Sequence, residues 1–346
     1  MEKLSLSCLD ERAPTDRAVP SVPHDGVRIR VCYAGLCYLP QLTNATPLRK
    51  GCTGYRNGNL FEGFEISGIV ESIGTGARQS DLTVGDPVAV FPHEDVICQG
   101  YADYLVVREL KNVVKLPASI SLAVGAMLPT GGTLAMSAVI RCRETLANVV
   151  AQKGHCNIVI MGAGCLAHWL IRLLALSNSA IRDRIHIAVA SDDWEGLKIA
   201  RTLGAEEVVL LDENCHEEVL AERLRDSFAD GVQMAISLCP DERLQDRAIR
   251  CLDKGGFLVV PSGSISGDFQ NGKKQDLQVL AAPCGSVEIL RTLVRTIADG
   301  EGLQKNHPTY KVYPVETSQT VFDDLQLCSR SERAILKFQA SHPVVW

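Results

Sequence analysis

The sequence predicts an α/β protein with a β-rich first part and a doubly wound parallel sheet behind it. Three observations lead there. Between residues 27 and 116, short apolar runs are punctuated by Gly74, Gly76, Gly85 and Asp86. From about Thr133, strand-like runs alternate with longer helical stretches, and one strand-to-helix turn reads Gly-x-Gly-x-x-Ala. Close-set strands with turn signals make barrel-like β structure, whereas strand and helix in alternation make a parallel sheet covered on both faces.

The elements follow in order. Residues 1–20 hold Glu2, Lys3, Asp10, Glu11, Arg12 and Arg17 without an apolar stretch, so a frayed lead-in is expected, not a signal peptide. Strands of the first part are expected at 27–33, 66–73, 87–91, 104–107 and 113–116, and buried parallel strands at 158–161, 185–190, 208–211, 232–238 and 257–260. The apolar stretch 158–176 is interrupted by Gly162, Gly164, His168 and Arg172, which splits it into strand, turn and helix and removes a membrane reading. In that helix Leu166, Trp169, Leu170, Leu173 and Leu174 recur at i, i+3, i+4, i+7 and i+8, one stripe facing a sheet. A helix around Leu244, Ala248 and Leu252 is expected to end at Lys254-Gly255-Gly256, a basic last turn followed by glycine. After Gly285 a helix with Val287, Leu290, Val294 and Ile297 on one face is followed by a strand at 309–315, a short helix at 321–325 and a strand at 334–338. The expected division is a lead-in at 1–24, a β-rich domain from 25–131 and 285–346, and a parallel-sheet domain at 132–284.

Composition narrows the partners. With 346 residues, 22% charged and 46% hydrophobic, the chain can bury a large core and is neither disordered nor fibrous. The net charge is −6 and no dense basic run occurs, so there is no electrostatic footprint for nucleic acid or an anionic membrane; a small-molecule partner is expected. The 13 cysteines are scattered without paired spacing, which fits reduced thiols and a cytoplasmic protein.

Gly162-Ala163-Gly164-Cys165-Leu166-Ala167 follows the strand 158–161 and opens the amphipathic helix. Such a turn is expected to bind a dinucleotide, the alternative being a purely structural glycine turn: Gly162 makes the bend, Gly164 lets the backbone approach a pyrophosphate, Ala167 permits close packing, and the helix start at Cys165 and Leu166 attracts the anion. An acid ending the second strand would hold the ribose of NAD. Here Ala190 or Ser191 takes that place, with Asp192 and Asp193 one or two positions late. NADP(H) is therefore favoured over NAD(H), with Ser191 as the phosphate contact. A one-residue shift would bring Asp192 to the ribose, and the other reading of the two acids is a solvated helix start.

The order of elements resembles the medium-chain dehydrogenase/reductase superfamily. The resemblance is carried by Val31-Cys32-Tyr33-Ala34-Gly35-Leu36-Cys37, by Gly63-Phe64-Glu65-Ile66-Ser67-Gly68-Ile69-Val70-Glu71, by Gly85-Asp86-Pro87-Val88, by Gly100-Tyr101-Ala102-Asp103-Tyr104, by the turn at Gly162 and by Lys254-Gly255-Gly256. It implies a GroES-like catalytic domain, an inserted Rossmann domain, hydride transfer in the cleft between them, and a homodimer. It also implies where a catalytic zinc would sit. Cys37 keeps the first ligand position, but Phe64 replaces the expected histidine and Thr130 the third ligand, and the four-cysteine structural loop is missing. Phenylalanine has no lone pair to give, so no zinc is expected; His93, Cys98, Cys37 and Glu65 form at best an improvised site.

Without a Lewis acid, an activated alkene or a quinone is a better hydride acceptor than a ketone. By resemblance, Thr130 in Pro129-Thr130-Gly131-Gly132-Thr133 contacts the nicotinamide or the substrate, Tyr55 is the candidate proton donor and Tyr38 the alternative, and either tyrosine reads equally as a packed or rim aromatic. Ser286 resembles a residue beside the nicotinamide ribose, and Arg333 is either an arginine reaching the cofactor or a surface salt-bridge partner. The expected function is NAD(P)H-dependent reduction of a conjugated small molecule. The alternatives are a dinucleotide-binding sensor or scaffold, and an atypical zinc alcohol dehydrogenase.

Overall fold

The computed structural model describes residues 19–36, 55–56, 59–60, 65–78, 80–92, 102–212, 214–239, 241–262, 276–300, 307–318, 320–321 and 332–338. The strands of the first part are β1 (Val27–Gly35), β2 (Tyr55–Arg56), β3 (Asn59–Leu60), β4 (Glu65–Ile73), β5 (Pro87–Val90), β6 (Tyr104–Val107) and β7 (Val113–Lys115). Then come α1 (Leu122–Ala126), a single π-helical turn (Leu128–Gly132) and α2 (Thr133–Lys153). The alternating part runs β8 (Cys156–Met161), α3 (Cys165–Ser177), β9 (Ile185–Ser191), α4 (Trp194–Leu203), β10 (Glu207–Leu210), α5 (Glu217–Arg225), β11 (Val232–Ile236), α6 (Glu242–Cys251), β12 (Leu252–Pro261) and β13 (Gln278–Ala282). Last are α7 (Val287–Asp299), β14 (Tyr310–Pro314) and β15 (Arg333–Lys337).

Two sheets result. The first has the order β14-β15-β1-β4-β5-β7, with β6 also on β1, and is antiparallel except where β14 meets β15. Alternation along β1 buries Val27, Ile29 and Val31, which meet Val88, Val90, Leu105 and Leu336 in one core. The second, β10-β9-β8-β11-β12-β13, is parallel throughout. Every residue of β8 is buried: Ile158 and Ile160 face α2, α3 and α7, while Val159 and Met161 face α5 and α6. A strand covered on both sides needs apolar residues at successive positions, which is why it reads as a continuous run. The strand order reverses at β8, with β9 on one side and β11 on the other, the topological position at whose carboxyl end open α/β sheets bind ligands.

One boundary is corrected. The helix expected to end at Lys254-Gly255-Gly256 stops at Cys251, and those three residues lie inside β12, where Gly255 has φ +76°. Parallel pairing of Leu252 with Val232 captures the chain directly after α6 and overrides the local capping signal. Helix α2, closed by Gly154 at φ +86°, and the outer strand β13 are further elements that the sequence pattern does not single out. The expected lead-in and most of the 321–325 helix lie outside the described residues. Among the described residues no helix is long and apolar enough to cross a membrane, and no cysteine is in a disulfide.

Helices α5 and α6 are clamped by a charge cluster. Glu217 accepts from Arg247 at 2.6 and 3.0 Å and from Arg243 at 2.7 Å, with Arg247 only 4% exposed. The hydrogen bonds from Arg247 lead in pulling the Glu217 carboxyl well below its ordinary value, to about 2. The folded value lies below the unfolded one, so this stabilisation is complete above the ordinary glutamate range and is lost as pH falls toward 2. Glu217→Gln is expected to cost about 1–2 kcal/mol at pH 7, allowing for solvent screening. Urea unfolding at pH 7 and pH 3 checks it: the deficit should shrink at the lower pH.

Candidate active site

The turn after β8 has the geometry that its sequence requires. Gly162 sits at φ +90°, a left-handed conformation that side chains disfavour, and its N–H donates to the Ala190 carbonyl of β9 at 2.7 Å. Gly164 is extended at φ −84°, and a Cβ built there meets nothing within 4 Å, so the backbone borders open space. Helix α3 begins at Cys165 and Leu166 with no side-chain cap, and Ala163 and Ala167 are buried beneath the turn. The start of α3 beside open space is an arrangement that can take an anion.

Ser191 ends β9, 5% exposed. Its hydroxyl accepts from Asp193 N–H at 3.1 Å and donates to Asp192 Oδ1 at 3.3 Å. Asp193 is the N-cap of α4, accepting from Glu195 and Gly196 N–H at 3.1 Å each. The helix-start reading of Asp193 is thus the one its geometry matches. Lys198, the nearest cation in sequence, pairs with Glu195.

Below the turn lies a polar cluster whose assembly the sequence did not suggest. Glu65, first residue of β4, is 1% exposed. Its carboxylate accepts from the Thr130 hydroxyl, from Gly131 N–H at 3.4 Å, and from Arg333, whose Nε lies at 3.0 Å and whose second nitrogen is closer still. Sheet register explains the meeting. Gly35 of β1 is paired with Glu65 on one side and with Ile335 on the other, and a Cβ at Gly35 would strike the Glu65 carboxylate. Glycine at that position lets the acid of β4 pass over β1 to the arginine of β15. Gly131 completes the link, since a Cβ there would stand 3.9 Å from both Glu65 Oε1 and the Leu166 side chain. Thr130 is thereby brought beside the start of the dinucleotide turn.

The guanidinium of Arg333 is half-buried and pairs with Glu65, so its salt bridge lies inside the domain, where it compensates a buried carboxylate, and not on the surface. Thr130 gives its proton to Glu65, so its oxygen faces any ligand as an acceptor. Ser286 is the N-cap of α7, accepting from Ile289 N–H at 3.3 Å, and the neighbouring Gly285 at φ +115° packs where a Cβ would be 2.5 Å from Thr133. Only the backbone of Tyr55, in β2, is described; Tyr38, Cys37, Phe64, His93 and Cys98 lie outside the described residues. Glu65 enters the sequence reading only as a member of the improvised metal site; its meeting with Thr130 and Arg333 is not legible there, beyond the signal of an acid opening the strand β4.

Of the positions where the resemblance puts a catalytic zinc, only Thr130 is among the described residues, and its hydroxyl is engaged with Glu65. Among the described residues no three His, Cys, Asp or Glu side chains are grouped to hold a metal.

Comparison with known proteins agrees with this architecture. Residues 23–118 match the alcohol dehydrogenase GroES-like domain. Solved structures of similar fold include D-arabinose dehydrogenase from Sulfolobus solfataricus, at 20% identity and TM-score 0.67, covering 97% of this chain and 100% of that one. An alcohol dehydrogenase from Thermotoga maritima has 15% identity and TM-score 0.73, covering 98% and 100%. A thermostable alcohol dehydrogenase from Pyrobaculum aerophilum has 18% identity and TM-score 0.70, covering 97% and 98%. No curated protein sequence gives a significant match.

Proposed function

We propose that this chain, whose residues 23–118 match the alcohol dehydrogenase GroES-like domain and whose fold is similar to that of solved dehydrogenases, is an oxidoreductase that passes a hydride between a nicotinamide dinucleotide and a small molecule. The observation that carries this reading is the joining of two sites: Gly131 lies against both Glu65 and Leu166, so the Glu65–Thr130–Arg333 cluster adjoins the glycine turn that opens α3. The reduced nicotinamide supplies the hydride. Gly162, Gly164 and the first turn of α3 hold the pyrophosphate, and Thr130 Oγ1, its proton directed to Glu65, accepts a hydrogen bond from the ligand.

The finer reading is reduction of an enone, enoyl or quinone compound without catalytic zinc, supported by Phe64 and Thr130 at two metal-ligand positions. In an enone the hydride bonds to the alkene carbon remote from the carbonyl, the π pair moves to the oxygen, and a proton completes the saturated product. Tyr55 is proposed as that proton's source, with Tyr38 as the alternative. Ser191, small and neutral at the end of β9, supports NADP(H) over NAD(H). A homodimer in the cytoplasm is the proposed setting, with β13 the outer strand of the parallel sheet among the described residues.

The test is a hydride-transfer screen with NADPH and NADH over enones, quinones, aldehydes and alcohols, with zinc measured on the same sample. The reading expects NADPH oxidation by an enone or quinone, substoichiometric zinc, and a roughly 10²- to 10⁴-fold loss of turnover in Tyr55→Phe. One tightly held zinc per chain with alcohol oxidation would replace it by a zinc alcohol dehydrogenase. Tight dinucleotide binding with no turnover across the panel would replace it by a sensor or scaffold.

A further inference from the structure

One turn into α3, where the helix packs inside the domain, stands a histidine. His168 is fully buried, its own N–H bonding the Gly164 carbonyl at 3.1 Å. The imidazole Nε2 lies 3.2 Å from the carbonyl of Gly196 in the first turn of α4, while Nδ1 has no hydrogen-bond partner among the described residues. A carbonyl can only accept, so Nε2 carries the proton and the ring is the neutral tautomer. Burial, the leading influence, pushes the imidazole pKa down, against the pull of the Gly196 carbonyl and the Asp193 carboxylate. A leucine would fill the space between two helices without an unpaired polar atom, so packing alone does not ask for this residue.

What the histidine holds is a specific piece of backbone. Gly196 is fixed at three points: its N–H by the Asp193 cap, its carbonyl by His168, and its Cα by contact with the dinucleotide turn, where a Cβ would lie 2.5 Å from the Ala163 carbonyl oxygen and 3.0 Å from the Ala163 Cβ. Asp193 is in turn bonded through its N–H to Ser191. The imidazole therefore ties the helix of the pyrophosphate turn to the segment that ends β9.

We infer that His168 is a positioning residue for the dinucleotide: through Gly196 it holds Ser191, Asp192 and Asp193 at a fixed distance from Gly162 and Gly164, so that pyrophosphate and ribose are met by one rigid unit. This rests on the dinucleotide-binding reading of the same turn. Neither end of the link touches the reacting atoms, so its effect belongs to binding and not to the chemical step.

His168→Leu removes the donor and keeps an apolar fill; His168→Gln keeps an N–H that reaches the Gly196 carbonyl. The probe is ADP-ribose, which spans both halves of the site and lacks the nicotinamide, followed by fluorescence of Trp194, the 52%-exposed first residue of α4. Affinity for ADP-ribose is expected to fall about tenfold in His168→Leu and to return in His168→Gln, with the dinucleotide KM rising in parallel and kcat within about twofold of wild type. Circular dichroism and a thermal melt verify that both variants are folded. Unchanged affinity in folded His168→Leu overturns the inference, as does equal loss in both variants, which would mark a packing effect. If wild type binds neither ADP-ribose nor a dinucleotide, the dinucleotide reading falls first and the inference with it.

Discussion

Gly164→Val is expected to abolish dinucleotide binding, with affinity falling by about 10²-fold or more, in a protein that still folds. Gly164 has φ −84°, which any residue adopts, and a Cβ there meets no protein atom within 4 Å. The valine Cβ therefore meets no atom of the chain and enters the space that the proposed function assigns to the pyrophosphate. The neighbouring glycine behaves differently: at φ +90°, Gly162→Val forces a left-handed conformation and costs stability with or without ligand. Titration of NADPH and NADH against both variants, beside their melting curves, separates the effects. Undiminished affinity in a folded Gly164→Val protein would show that the motif is only a structural turn.

The second large effect is expected at Glu65. Its carboxylate is 1% exposed and gathers Thr130, Gly131 N–H and Arg333. Glu65→Ala leaves the half-buried guanidinium uncompensated and the threonine hydroxyl without its acceptor, at a cost of about 3–5 kcal/mol. Because Gly131 connects this cluster to Leu166, the misplacement should reach the reacting region, with turnover falling on the order of 10²-fold. Urea unfolding and the hydride-transfer assay measure the two losses. Removing both charges, as Glu65→Gln with Arg333→Met, should recover part of the stability, because an unpaired buried charge costs more than a missing pair. A Glu65→Ala protein as stable as wild type would show that the pair contributes nothing.

Much of the parallel-sheet half is legible in the residue pattern alone. A strand buried on both faces must be apolar at successive positions, a helix on a sheet must show a stripe, and a turn approached by phosphate must be glycine; β8, α3 and the turn at Gly162 each carry those marks in neighbouring residues. The α6–β12 boundary is not legible in that way, because a local helix-end signal loses to parallel pairing with β11, a partner on the far side of α6. The role of Arg333 is open in the sequence for a similar reason.

What the sequence determined by itself is thus the class of fold and the position of the glycine turn between β8 and α3, both of which are written in residue types and short spacings. What only the tertiary structure decided is which polar groups meet. Glu65 and Arg333 are 268 positions apart and Glu65 and Thr130 are 65 apart, and His168 reaches a carbonyl 28 positions away. A side chain's period records that it is buried but not what it is buried against. Its partner is chosen when β15 closes onto β1 beside β4, and when α4 settles on the glycine turn, and a buried charge or imidazole takes its chemistry from that partner.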